Sequence, residues 1–209
     1  MRIGIDKNKV TIIARIISAI FNPFVVPFLA FLVLFLFSYL NMLPLVYRLT
    51  VLGVVYAFTI LMPTLAIFLF RKINGWGIKA FRDRRKRFVP YILTIFCYVA
   101  CLAMMLKMSM PGYLTGIIIA SLMAIVICIL VNLKWKISEH MTAMGGIVGG
   151  LIAFSFMLNY NPIFWLCLFI LFAGMLGSAR VLLRHHTLHE VLIGFLVGFL
   201  CSIIGILYL

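Results

Sequence analysis

Negative charge is scarce in this sequence: four aspartates and glutamates in 209 residues, alongside only four histidines. Charge of any sign is scarce too, at 11% of residues against 66% hydrophobic, and the mean hydropathy is +1.26. That shortage excludes a soluble globular domain, whose surface must largely face water. Cysteine contributes five residues, all inside apolar runs. Cys97 and Cys101 are four apart, on one helix face, but no histidine lies near them in sequence. They read as small hydrophobes, with no metal and no disulfide implied. Internal repeats of the soluble kind are missing, and so is any separate polar region. Residues 1–209 therefore read as a single integral membrane domain.

What is present are apolar stretches of the length a helix needs to cross a bilayer. Backbone groups in lipid must be satisfied within their own segment, so an all-α bundle is expected. The expected spans are 16–40, 49–71, 89–107, 113–133, 141–158, 162–182 and 188–209. The first is too long for the core of a signal peptide and lacks a clear small-residue cleavage site. Short connections carry turn formers: Asn41 and Pro44, Pro111-Gly112, and Asn159 to Pro162. The basic stretch 72–88, KINGWGIKAFRDRRKRF, reads as a short helix lying at the interface. GGIVGG (Gly145 to Gly150) and the pair Gly194/Gly198 place small residues at helical spacing and predict close helix packing.

The net charge is +14. Nothing arranges these charges with aromatics as a nucleic-acid module does, so they speak of orientation and of anionic lipid head groups. If the spans alternate, the basic residues collect on one side: four in 1–15, eight in 71–87, then Lys134, Lys136, Arg180 and Arg184. Only Arg48 and Lys107 fall opposite. Positive loops stay in the cytoplasm, which predicts seven helices with the N-terminus inside and the C-terminus outside. Lys134 and Lys136, flanking Trp135, read as snorkelling anchors.

The same side gathers the histidines and most acids, in three patches: KAFRDRRKRFVP (Lys79 to Pro90), KISEHM (Lys136 to Met141) and SARVLLRHHTLHEVLIGFLVG (Ser178 to Gly198). Ionisable groups at such places in a membrane protein are functional candidates. Arginines at a membrane surface can grip phosphate through paired, charge-assisted hydrogen bonds. Histidines from two segments can serve as nucleophile and general acid. Glu190, four residues after His186, lies on the same helix face and can hold the imidazole in one tautomer. No cluster of metal ligands is needed.

Arg180, five residues, His186, three residues, Glu190 resembles the third signature of the type 2 phosphatidic acid phosphatase superfamily, which shares its fold with vanadium haloperoxidases. Ser138-Glu139-His140 resembles the second signature, Ser-Gly-His, and the basic stretch ending at Pro90 resembles the first. The three stand in the family's order over 79–209. The resemblance implies a metal-independent lipid phosphatase without a cofactor. It implies that His186 attacks phosphorus, Glu190 orients it and His140 protonates the leaving oxygen. It further implies that Arg180, Ser138 and, from the first patch, Arg87, Arg84 and Lys79 hold the phosphate. Here Glu190 stands where the family has aspartate, and Glu139 where it has glycine. With the Glu139 side chain turned away, its backbone N–H can still donate to phosphate. The family core commonly has six helices.

Local readings stand beside these. Thr187 to Glu190 fits a capping box for the last helix, so Glu190 can cap, orient His186, or do both. Ser138 is equally an N-cap for the helix of 141–158. His185 and His189 read as facing the head groups. The expected activity is phosphate release from a lipid phosphomonoester or diphosphate: phosphatidate, phosphatidylglycerophosphate, an isoprenyl diphosphate or a lipid A type. The substrate and membrane lipids are the partners expected, with no obligate protein partner. A transferase passing phosphate or a phospho-head group to another lipid alcohol ranks second. A non-enzymatic anionic-lipid binding or transport protein ranks third. The expected location is a bacterial inner (plasma) membrane, with the active site on the cytoplasmic face.

Overall fold

Six apolar runs form helices long enough to cross a bilayer. In the computed structural model, residues 12, 22–75, 88–159 and 161–208 are described. The elements are α1 (Val26–Phe37), a 3₁₀ turn (Tyr39–Met42), α2 (Leu45–Ile73), α3 (Phe88–Lys107), α4 (Gly112–Lys134), α5 (Glu139–Leu158), α6 (Ile163–Leu182) and α7 (Leu188–Leu207). No strand occurs among the described residues. The protein is an all-α, polytopic, integral membrane bundle. Large apolar side chains such as Phe96, Phe156, Phe164 and Leu171 are exposed on its outside. An apolar belt of this kind suits lipid and not water.

Of the expected first span, 16–21 lies outside the described residues, and the rest holds α1. Twelve residues rise only about 18 Å, short of a hydrocarbon core about 30 Å thick. The interfacial helix expected over 72–88 falls largely on 76–87, which also lies outside the described residues. α2 spans despite Pro63, which is buried. Proline has no N–H to offer the Thr59 carbonyl four residues back. The chain accommodates this with a π-turn over Ala57–Leu61, closed from the Met62 N–H to the Ala57 carbonyl.

Helices α3 to α7 alternate in direction through short connections, so Phe88, Lys134, Glu139, Leu182 and Leu188 share one end. Two of the reversals at helix ends are Schellman motifs. At the end of α3, Ser109 has φ +51°, and Met110 N–H donates to the Met105 carbonyl at 3.1 Å. At the end of α6, Arg184 has φ +53°, and His185 N–H donates to the Arg180 carbonyl at 3.2 Å. The second motif folds the chain sharply, so that His186 follows Arg180 closely in space as well as in sequence. A left-handed, non-glycine residue is strained, so Arg184→Gly is expected to raise stability by about 0.5–1 kcal/mol. Thermal melting in detergent measures this, and a lower midpoint would contradict the strain.

α7 is the central helix, wedged between α5 and α4. Lipid tails are as apolar as leucine, so helices here associate through close packing of small residues. A methyl group added at Gly145 or Gly149 of α5 would overlap the carbonyls of Phe195 and Phe199 on α7. One added at Gly194 would stand 2.7 Å from the Ser138 carbonyl, and one at Gly205 2.8 Å from Ala120 Cβ of α4. The glycine seam therefore brings the first turns of α5 and α7 into backbone contact. Ser138 N–H donates to the Glu190 carbonyl at 3.3 Å. At the opposite end, Phe31, Leu34 and Phe35 of α1, Val51, Tyr98, Leu114, Phe154 and Ile206 form the main apolar core.

Candidate active site

Site chemistry begins where α7 begins. Thr187 is its N-cap: its hydroxyl accepts from Glu190 N–H at 3.4 Å, and the Glu190 carboxylate accepts from Thr187 N–H at 3.3 Å. The capping box expected from sequence is present. The same carboxylate oxygen lies 2.8 Å from His186 Nδ1. Glu190 thus caps the helix and holds the histidine together. The His186 side chain is only 5% exposed and that of Glu190 22%. An ionised carboxylate can only accept, so Nδ1 of the neutral ring carries the proton and Nε2 carries the lone pair.

His186 lines a cavity of about 450 Å³, and so do His140 and Arg180. His140 comes from the first turn of α5 and Arg180 from the last of α6. Residues from two separate sequence patches, carried by α5, α6 and the connection from α6 to α7, therefore meet at one end of one space. No protein-family model, curated protein or solved structure matches the chain. The chemistry of the site therefore rests on its own geometry. Outside this end, the cavity walls are mainly apolar and come from α1, α3, α4, α5 and α7.

Ser138 is fully buried and occupies the N-cap position of α5, but its hydroxyl makes no cap bond. The Ser138 hydroxyl has no hydrogen-bond partner among the described residues. It also is not among the cavity-lining residues. Of its two sequence readings, side-chain capping is thus not realised, though its backbone ties α5 to α7. The alternative for Glu139, a side chain turned away, is not realised either. Glu139 lines the cavity, and its carboxylate accepts a 2.5 Å hydrogen bond from the Tyr91 hydroxyl. Lys79, Arg84 and Arg87 lie outside the described residues.

His189 and His185 are exposed. His189 lines a second, shallower space with Lys136 and Trp135, apart from His140 and Arg180. Among the described residues no group of three or more histidine, cysteine or acidic side chains is placed to hold a metal ion. Cys128 and Thr142 meet at 3.6 Å, and the Thr142 hydroxyl donates to the Ser138 carbonyl at 3.2 Å, bracing the start of α5 from within. Sequence reasoning missed Tyr91. Its only sequence signal is a polar-tipped aromatic beside Pro90, at the edge of the first basic patch. The GGIVGG stretch was also only half read. Gly145 and Gly149 pack on α7, whereas Gly146 and Gly150, one residue round the helix, line the cavity.

Proposed function

We propose that the protein is a membrane lipid phosphatase acting through a phosphohistidine, as the resemblance to the type 2 phosphatidic acid phosphatases implies. The observation that carries this reading is the 2.8 Å His186–Glu190 hydrogen bond at the polar end of an otherwise apolar cavity. A nucleophile, its orienting acid, a second histidine and an arginine stand where a head group would enter, with hydrocarbon walls beyond.

The reaction proceeds in two steps. His186 Nε2 donates its lone pair to phosphorus, and the bond from phosphorus to the lipid oxygen breaks. His140, entering protonated, gives its proton to that oxygen, and the lipid alcohol leaves. The ring of His186 becomes cationic as the N–P bond forms, and Glu190 stabilises that charge through Nδ1–H. Arg180 balances the charge on the transferring phosphoryl oxygens. Water then attacks phosphorus, His140 takes its proton, the N–P bond breaks, and inorganic phosphate is released. Ser138 and the basic residues Lys79, Arg84 and Arg87 are assigned to the phosphate oxygens on the resemblance alone. The concentration of positive charge at this end favours the cytoplasmic face of a bacterial inner membrane.

The test is phosphate release by the detergent-purified protein, without added metal, from a panel of lipid phosphates. Glu190→Gln is the informative variant. Glutamine preserves a capping box, so stability should change by under about 0.5 kcal/mol. As an amide it can present N–H to Nδ1 and favour the wrong tautomer, so release should fall by about 10²- to 10⁴-fold. Equal rates in parent and variant would refute the orienting role. No release from any substrate by a folded parent would refute the phosphatase reading.

A further inference from the structure

The cavity continues far beyond the groups that handle phosphate. Along α5 its lining runs from His140 through Ala143, Gly146 and Gly150 to Phe154. Fourteen residues separate the ends, a rise of about 21 Å. That exceeds half of a hydrocarbon core about 30 Å thick, so the space reaches past the middle of the bilayer. α7 repeats the pattern: Gly198 and Ser202 line the middle, and Ile206 the far end. Phe154 and Ile206 belong to the main apolar core, which lies at that end of the space. Small residues line the middle, an aromatic and a branched residue line one end, and ionisable groups stand at the other.

We propose that this space is a binding site for one long hydrocarbon chain of the substrate. On this proposal the substrate class is a lipid phosphate whose phosphate ends a single chain, and Phe154 and Ile206 set the length accepted. The proposal rests on the phosphatase reading for the head group, and on the cavity for the chain. Volume decides against two chains. An apolar cavity of about 150 Å³ takes up one benzene, so 450 Å³ corresponds to roughly eighteen carbons. That suits one long chain and falls well short of the two chains of a diacyl lipid. The polar groups gathered at one end fix the direction of entry, tail first, with phosphate stopping at His186 and Arg180.

Gly150 offers the cleanest probe. A methyl there would meet only Ile206 Cδ1, at 3.6 Å, an ordinary contact. Gly150→Leu therefore fills the lower cavity without breaching the helix seam. Two readouts are compared in parent and variant. One is kcat/KM for butyl, decyl, hexadecyl and farnesyl phosphates and for diacyl phosphatidate. The other is thermal stabilisation by hexadecyl phosphate. The parent should prefer hexadecyl to butyl phosphate and prefer decyl and hexadecyl phosphates to phosphatidate. In Gly150→Leu the hexadecyl-to-butyl ratio should fall about tenfold or more, the scale on which a filled apolar pocket rejects extra methylenes. General damage would lower both rates and leave the ratio unchanged, which would overturn the proposal. So would a parent that prefers phosphatidate. The farnesyl arm distinguishes an isoprenoid from a straight chain as the natural source. If neither protein releases phosphate but hexadecyl phosphate stabilises the parent and not Gly150→Leu, the phosphatase reading fails and the chain site stands. Equal stabilisation, or none in either, overturns the chain site.

Discussion

Replacing His186 by alanine is expected to reduce phosphate release by at least about a thousandfold, with the protein still folded. The size of the loss follows from the position of the group. In the proposed reaction His186 supplies the atom that attacks phosphorus, so without it neither the phosphohistidine nor its hydrolysis would occur. Alanine leaves the carboxylate of Glu190 with its second role, accepting from Thr187 N–H, so the first turn of α7 keeps its cap. Phosphate release and a detergent melting curve, measured on the same preparation, separate chemistry from folding. Release within tenfold of the parent would exclude His186 as nucleophile. The orienting role of Glu190 would then have no object.

The second large effect concerns stability. Gly145→Ala is expected to destabilise the bundle by about 3 kcal/mol, because overpacking a tight contact shifts backbone and not only side chains. The added methyl would overlap the carbonyl of Phe195, which belongs to a helix backbone and cannot rotate aside. α7 must then move away from α5. The bond from Ser138 N–H to the Glu190 carbonyl crosses that interface, so activity should fall with stability. Gly174→Ala is the matched control, since a methyl there meets nothing within 4 Å. It should melt at or above the parent temperature, as alanine is favoured over glycine within a helix. If Gly145→Ala melts with the parent, the seam does not hold α7 in place.

Much of the architecture was legible because bilayer thickness and helix rise set a length that apolar runs must meet. Spans expected over 89–107, 113–133 and 162–182 stand as Phe88–Lys107, Gly112–Lys134 and Ile163–Leu182. The first expected span was harder, since hydrophobicity alone does not distinguish a crossing helix from the short α1 that walls a cavity. In the site, His186 and Glu190 were legible because they are four apart in sequence across the start of α7, where geometry is local. The contact between Tyr91 and Glu139 was not. Those residues are 48 positions apart and no periodicity relates them. The two glycine faces of α5 also look identical in sequence. A small residue reads the same whether a helix backbone or a cavity stands opposite, and only the packed bundle distinguishes them.

The central position of α7 has a consequence for biogenesis. Chains emerge and insert in sequence order, and α7 follows both of its main partners, α4 and α5, in that order. The keystone of the bundle is thus inserted after the elements it joins. Until it arrives, the glycine faces of α5 and the lower cavity have lipid, and not protein, opposite them. Assembly of the site therefore coincides with completion of the fold: until α7 is in place, Arg180, His140 and His186 are present, but Glu190, which holds His186, is not.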